Sequence, residues 1–227
     1  MVKIEKSEVF NFEGALRGMR NPMNSWNNSD SKIGNGKFII GKNDLELAQR
    51  LVRAGTDHSK FMRMITVCVD ITAPLYWWKE FDTYKVGTVA NSCSTMHKIT
   101  KKEFAIDDFS CEHLISMTNH GSYDPLLFLG RINKRIDSID ILELIVNVLN
   151  HYRKKYIDTK DKLYWWQMIQ LLPSSYNQKR TVTMNYAVLR NIYLGRMNHK
   201  LDEWVAFCKW IEGLPYAKEL ICLGSKK

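Results

Sequence analysis

The chain has 227 residues, 45% of them apolar and 11% aromatic, with a formal net charge of +9 at pH 7. That length and apolar content suit one domain with a real core and exclude wholesale disorder. No apolar run approaches the roughly 20 residues that cross a bilayer, and the opening MVKIEKSEVF lacks the apolar stretch of a signal peptide, so a cytosolic chain is expected.

In chain order, Val2, Ile4, Val9 and Phe10 alternate over residues 2–10 and predict a first strand. Asn11 to Arg20 spaces its apolar residues helically and sets Arg17 and Arg20 on one face. Asn21 to Gly41, rich in Asn, Ser, Gly and Asp, reads as a loop. Trp26 within it is either an anchor or a lid residue that stacks on a ligand. Asn43-Asp44 caps a helix that stops at Gly55. Phe61 to Ala73 is β-branched and alternating, a central strand; Pro74 ends it and starts an aromatic helix.

From Gly87 to Thr95 the chain turns small and polar, just after Tyr76-Trp77-Trp78, Lys79 and Lys85. Small residues admit close backbone approach, lysines offer charge, and hydroxyls and amides offer hydrogen bonds, as a flat phosphorylated ligand requires. A solvated helix end and turn would read the same way. Farther on, a short helix is expected near Cys111 to Thr118 and a turn at His120-Gly121. Ser138 to Tyr156 is the clearest helix, with Arg153-Lys154-Lys155 suiting its C-terminal dipole, and Lys160 to Leu171 forms the next. Pro173 and Ser174 to Arg180 read as a loop. Helices over Val182 to Tyr193 and Leu201 to Ile211 and a short last one complete the chain. Few strands, a helix-rich second half and no alternating βαβ run predict an α/β protein of the α+β kind, a single domain over 1–227.

Several chemistries are excluded. The five cysteines are an odd number with no CxxC, so reduced thiols are expected, and the six histidines lack ligand spacing, so no metal site is assigned. There is no GxxxxGK[ST], GxGxxG, HExxH or GxSxG. Cys93 has only lysines nearby to activate it. No catalytic nucleophile is assigned. The basic residues are dispersed, which fits nucleotide-sized phosphates better than a long polyanion; nucleic acid is not the expected partner.

Three segments taken together resemble the flavin-dependent thymidylate synthases (ThyX family). Ala73-Pro74 followed by Lys79 to Ser94 is similar to that family's RQWxRHRxxSxNExS signature after an Ala-Pro. Lys79 falls on the first Arg, Glu80 on the Gln, Thr83-Tyr84-Lys85 on Arg-His-Arg, Thr88 on the Ser, Ala90 on the Asn, Asn91 on the Glu and Cys93 on the closing Ser. Ala15 to Arg20 resembles the family's early AxRxAR. Leu172-Pro173 with Gln178-Lys179, Asn185, Asn191 and Arg196 resembles its LPxxxxTR…N…N…R block. The three occur in family order and together span most of the chain.

The resemblance implies a small central sheet flanked by helices, in a homotetramer with FAD and nucleotide sites at subunit interfaces. It implies that reduced flavin delivers hydride to dUMP or a related pyrimidine nucleotide, with methylenetetrahydrofolate as carbon donor and NADPH as reductant. On the matched positions, Thr83, Tyr84, Lys85, Asn185 and Asn191 are expected to bind the cofactor. Lys79, Glu80, Asn91, Cys93, Lys179 and Arg196 are expected to bind substrate. Arg196, Lys179 or Arg180, and Lys85 are the expected anion contacts, with Arg17 and Arg20 as further candidates.

The departures fall at ligand positions. Lys does not reproduce a planar Arg fork, Thr83 carries no charge, and Tyr84 can stack but is no cation. Glu80 accepts hydrogen bonds only, favouring an amino group over a carbonyl. The family's His-Ala-x-x-Glu-Ile-Arg helix is reduced to Lys200 to Trp204. A descendant that keeps the fold for nucleotide binding or assembly without flavin chemistry is the alternative.

Overall fold

A computed structural model of the chain describes residues 1–116, 127–129 and 134–224. The first elements are β1 (Lys3–Phe10), α1 (Phe12–Arg20), the short hairpin β2 (Lys32–Gly34) and β3 (Lys37–Ile39), and α2 (Lys42–Arg53). Then come β4 (Thr66–Pro74), α3 (Leu75–Phe81), β5 (Val89–Ser92), α4 (Thr95–Lys98), and the hairpin β6 (Leu127–Leu129) and β7 (Lys134–Ile136). The rest is α5 (Ser138–Thr159), α6 (Lys162–Leu171), β8 (Asn177–Asn185), α7 (Tyr186–Arg196), α8 (Asp202–Glu212) and α9 (Ala217–Leu220). The α/β class with a small sheet holds.

The described residues fall into two compact units. One comprises Val2–Thr72, Lys79–Asn91 and the chain from Lys179 onward; the other comprises Met1, Ala73–Trp78 and Ser92–Gln178. The first carries most of a four-stranded sheet in the order β1-β4-β8-β5. Strand β4 alternates strictly: Val67, Val69 and Ile71 are fully buried while Thr66, Cys68, Asp70 and Thr72 are half-buried. That period of two is what a sheet covered on one face demands. Truncating one of these buried side chains to Ala would cost about 2–5 kcal/mol. Strand β1 pairs antiparallel with β4, broken by a bulge between Glu5 and Glu8 where Lys6 takes φ 52°. Its charged residues suit an edge.

Helices close the same unit by their apolar stripes. Phe12, Ala15, Leu16 and Met19 of α1 are buried at spacings of three and four, as are Leu189, Ile192 and Tyr193 of α7. In α8, Trp204, Phe207, Cys208 and Ile211 do the same. The other unit has its own core, in which Leu142, Val146 and Leu149 of α5 meet Met168 of α6, Ile99, Phe104 and Phe109. Its helical hairpin turns at Lys160, which takes φ 59°, and Asp161 caps α6 through the Leu163 amide.

Four expectations change. The loop Asn21 to Gly41 contains the hairpin β2–β3, and Phe61 to Arg63 is a 3-10 turn preceding the strand. Cys111 to Ser116 forms turns, while the remainder of the helix expected there and the turn at His120-Gly121 lie outside the described residues. The segment Asn177 to Asn185 is a strand, so the following helix starts at Tyr186.

Candidate functional site

The site begins where β4 runs into α3. Pro74 cannot donate to a ladder, yet its φ suits a helix start, so the strand gives way directly to Leu75–Phe81. Trp77 and Trp78 at the helix start are buried and meet edge to face at 4.9 Å. They are core, and the functional side chains come after them. Thr83 donates its hydroxyl to the Glu80 carbonyl at 2.7 Å, and Arg180 binds Asp82 at 2.7 Å; both ties hold the turn Asp82–Tyr84.

From that turn, Glu80 and Tyr84 meet the end of α7. Arg196 donates from Nη1 to Glu80 Oε2 at 2.8 Å and from Nε to the Tyr84 hydroxyl at 2.9 Å. Trp204, buried at the start of α8, donates its indole N–H to the same Oε2 at 2.9 Å. His199 Nε2 stands 3.7 Å from that oxygen. The guanidinium of Arg196 also lies over two rings, 4.9 Å from the Trp204 centroid and 5.7 Å from that of Tyr84. Each donor has its place for a local reason: Arg196 ends α7, His199 follows in the turn, and Trp204 opens α8.

The consequence is a cation held between a carboxylate and two aromatic faces. The Arg196 side chain is 21% exposed and that of Glu80 36%, so the pair is reachable from solvent. Every contact Glu80 makes through its carboxylate is on Oε2; Oε1 has no partner among the described residues. Tyr84 accepts from Arg196 and keeps its own proton to donate.

The chain from Tyr84 to Gly87 runs along α7. The Tyr84 hydroxyl is 3.6 Å from the point where a Cβ on Gly195 would sit. A Cβ on Gly87, whose φ is +80°, would stand 2.9 Å from Asn185 Nδ2 and 3.3 Å from Val188. Glycine is therefore required at 87 twice over, by conformation and by closeness. Asn185 caps α7 by accepting from the Val188 amide at 3.0 Å. Val188 and Gly195, seven apart, share one face of that helix, and Asn191 lies exposed between them.

The expected site residues thus divide. Glu80, Tyr84 and Arg196 come together, as do Gly87 and Asn185. Lys179 is engaged elsewhere, 3.0 Å from Asp70 and 3.8 Å from Glu5; the hydrogen bond to Asp70 raises its pKa. Asp70 is in turn held below the usual carboxylate range by the Thr181 hydroxyl and by Lys179. Lys79, Lys85, Asn91 and Asn191 are exposed, with no side-chain partner among the described residues. Cys93 belongs to the other unit, where its carbonyl accepts from Gln178 at 2.9 Å. The best-buried thiol, Cys208, is pushed up to about 12, chiefly by burial, and is no nucleophile. No group of three His, Cys, Asp or Glu able to hold a metal occurs among the described residues. No motif in the sequence marks Trp204 or His199; their one signal is a pair of polar-tipped rings just beyond the α7 arginine.

No family model and no curated protein matches the chain. Solved structures do. A thymidylate synthase X (ThyX) from Helicobacter pylori, crystallised with FAD and dUMP, is 17% identical with a TM-score of 0.65, covering 99% of this chain and 100% of that one. A UMP/dUMP methylase, PolB, from Streptomyces cacaoi, bound with 5-Br UMP, is 11% identical with a TM-score of 0.64, covering 99% of this chain and 96% of that one. The chain has the fold of these proteins over its whole length.

Proposed function

We propose that the chain is a flavin-dependent enzyme acting on a pyrimidine nucleotide. Its reaction is reductive methylation of dUMP or a close relative, with FAD, methylenetetrahydrofolate and NADPH, in a homotetramer. One observation carries this reading. Glu80 and Tyr84, matched to the family signature from one segment, are hydrogen-bonded to Arg196, matched from another more than a hundred residues on. Agreement in fold with nucleotide enzymes along the full chain supports it.

The residues present fit a flavin in one telling respect. The Thr88 hydroxyl is buried with no partner among the described residues, three residues on from the exposed Lys85 and next to Gly87, which packs against the start of the helix that carries Asn191. Such donors suit the amide edge and phosphates of FAD. Thr83, Tyr84, Lys85, Asn185 and Asn191 would hold it, Asn185 through the helix start that it caps. When bound, the flavin supplies the hydride chemistry that no side chain here can. Tyr84 offers a hydroxyl proton and a ring face. Arg196 supplies positive charge that Glu80 tempers, and Glu80 Oε1 accepts from an amino or imino N–H of the nucleotide base. Lys79, Asn91 and Lys179 complete the proposed substrate contacts within this unit, although Lys179 must leave Asp70 to do so.

Purified protein should carry, or take up, a yellow chromophore with flavin absorbance, and should oxidise NADPH faster when dUMP is present. Protein that stays colourless with excess FAD overturns the reading. A specific observation favours a second reading, a nucleotide-binding or assembly protein without flavin chemistry: Arg196 and Lys179 are both already neutralised by carboxylates of the chain. Thermal shift with nucleotide but none with FAD is the result that reading requires.

A further inference from the structure

A second region of the sheet-bearing unit shares no residue with the Glu80–Arg196 cluster. Between α1, the turn at Trp26 and the hairpin β2–β3 lies a cavity of about 350 Å³. Leu16, Ile33 and Phe38 give it apolar walls, and Arg17 and Lys32 bring two cations to it. Neither cation has an ion-pair partner among the described residues. An adjoining cavity of about 400 Å³ shares Arg17, Ile33 and Phe38, so the two form one groove along α1.

The frame around the groove is rigid where its free groups are not. Arg20, buried at its floor, is spent on Asp44 at 2.6 Å and on the Ser25 and Asn28 carbonyls. Asp44 is fully buried and also accepts from the Ser29 hydroxyl and from the amide and hydroxyl of Ser31. Burial alone would raise its pKa; the hydrogen bonds from Ser31, Ser29 and Arg20 outweigh that and lower it. Trp26 is half exposed, yet its indole N–H is fixed on Asn21 Oδ1 at 2.8 Å, which holds the ring in place. A fixed, wet indole beside two unpaired cations is an arrangement a packed loop does not need.

We propose that this groove binds a mononucleotide unit: a planar base on Trp26, a phosphate on Arg17 and Lys32, and a ribose hydroxyl donating to Glu13 at the rim. Each part of that ligand meets the chemistry it requires. Aromatic faces accept any base, the two cations match a dianion, and a carboxylate is the usual acceptor for a ribose hydroxyl. The cavity beside Trp26 is of the size of one nucleotide. A free nucleotide and the nucleotide half of a pyridine dinucleotide share this chemistry.

Calorimetric titration of the full chain with AMP and nicotinamide mononucleotide, neither of them a pyrimidine nucleotide, separates these sources and tests the site. At least one probe should bind, with Trp26→Ala and Arg17→Ala each weakening it by about tenfold or more and Trp26→Phe retaining most of it. Glu80→Gln and Arg196→Gln should leave that binding within twofold, whatever becomes of flavin uptake. Three results overturn the proposal: no probe bound at millimolar concentration, binding indifferent to Trp26 and Arg17, or binding lost with Arg196 alone. Trp26 and Arg17 are exposed, so their variants should fold; unchanged circular dichroism confirms it.

Discussion

At the scale of single residues, Glu80 decides how Arg196 presents itself. Their side chains are partly exposed, and for such a pair the ionic contact adds about 0–1 kcal/mol to folding. The same carboxylate acts more strongly on an arriving anion, because a unit charge near 4 Å at an effective dielectric of 20 amounts to about 4 kcal/mol before screening. Ligand electrostatics therefore outweigh stability at this position. Glu80→Gln keeps an acceptor for Trp204 while removing the charge. It should tighten a phosphorylated pyrimidine nucleotide on the order of tenfold, about 1.4 kcal/mol, and shift the urea midpoint little. Calorimetric Kd values and urea melts measure the two effects. An unchanged Kd would mean that the nucleotide does not approach Arg196 at all.

At the scale of elements, the meeting of Gly87 with α7 is the sharpest constraint. Alanine at 87 must adopt φ +80° and push Asn185 off the helix start. The conformation costs about 1–2 kcal/mol and the lost cap about 1 kcal/mol. Since both substitutions remove the same cap, Gly87→Ala and Asn185→Ala together should destabilise by less than the sum of their single effects. Urea denaturation of the two single variants and the double variant reads this directly, and strict additivity would show that the contact carries no energy. The elements were unevenly legible in the sequence. The strand β4 and the helix α5 announce themselves by clean periods of two and of about three and a half. Strand β8 did not, because Val182 satisfies a helical spacing with Tyr186 and Leu189 as well as a strand's alternation with Met184. Its polar half, Lys179 and Thr181, looks like loop until Asp70 is seen to receive both. At the site the matched segments located Glu80, Tyr84 and Arg196. No sequence spacing could reveal that Arg196 is held by Glu80, or that Trp204 and His199 attend the same oxygen.

For the molecule as a whole, the core around α5 and α6 and the core behind the sheet are separate. Among the described residues no helix is long and apolar enough to cross a membrane. Leu149, fully buried between α5 and its neighbours, offers a way to perturb one unit alone. Leu149→Ala should cost about 2–5 kcal/mol of stability. Nucleotide affinity should stay within about twofold, because Glu80, Tyr84 and Arg196 all lie in the other unit. Melting curves and titrations of the same preparation compare the two quantities. A large loss of affinity without unfolding would show the units to be energetically coupled.

The bond between Glu80 and Arg196 spans 116 positions, and β8, which sits between β4 and β5, is made only after both of them. During synthesis the chain therefore emerges with its best strand, β4, showing a bare inner edge. At ribosomal rates of about 5–20 residues per second, that edge waits on the order of ten seconds for its neighbour. Until then the signature segment has neither its arginine nor its helix to lie along. An unfinished chain would offer an open strand to any other, and nascent molecules of this protein would need shelter for longer than their modest size suggests.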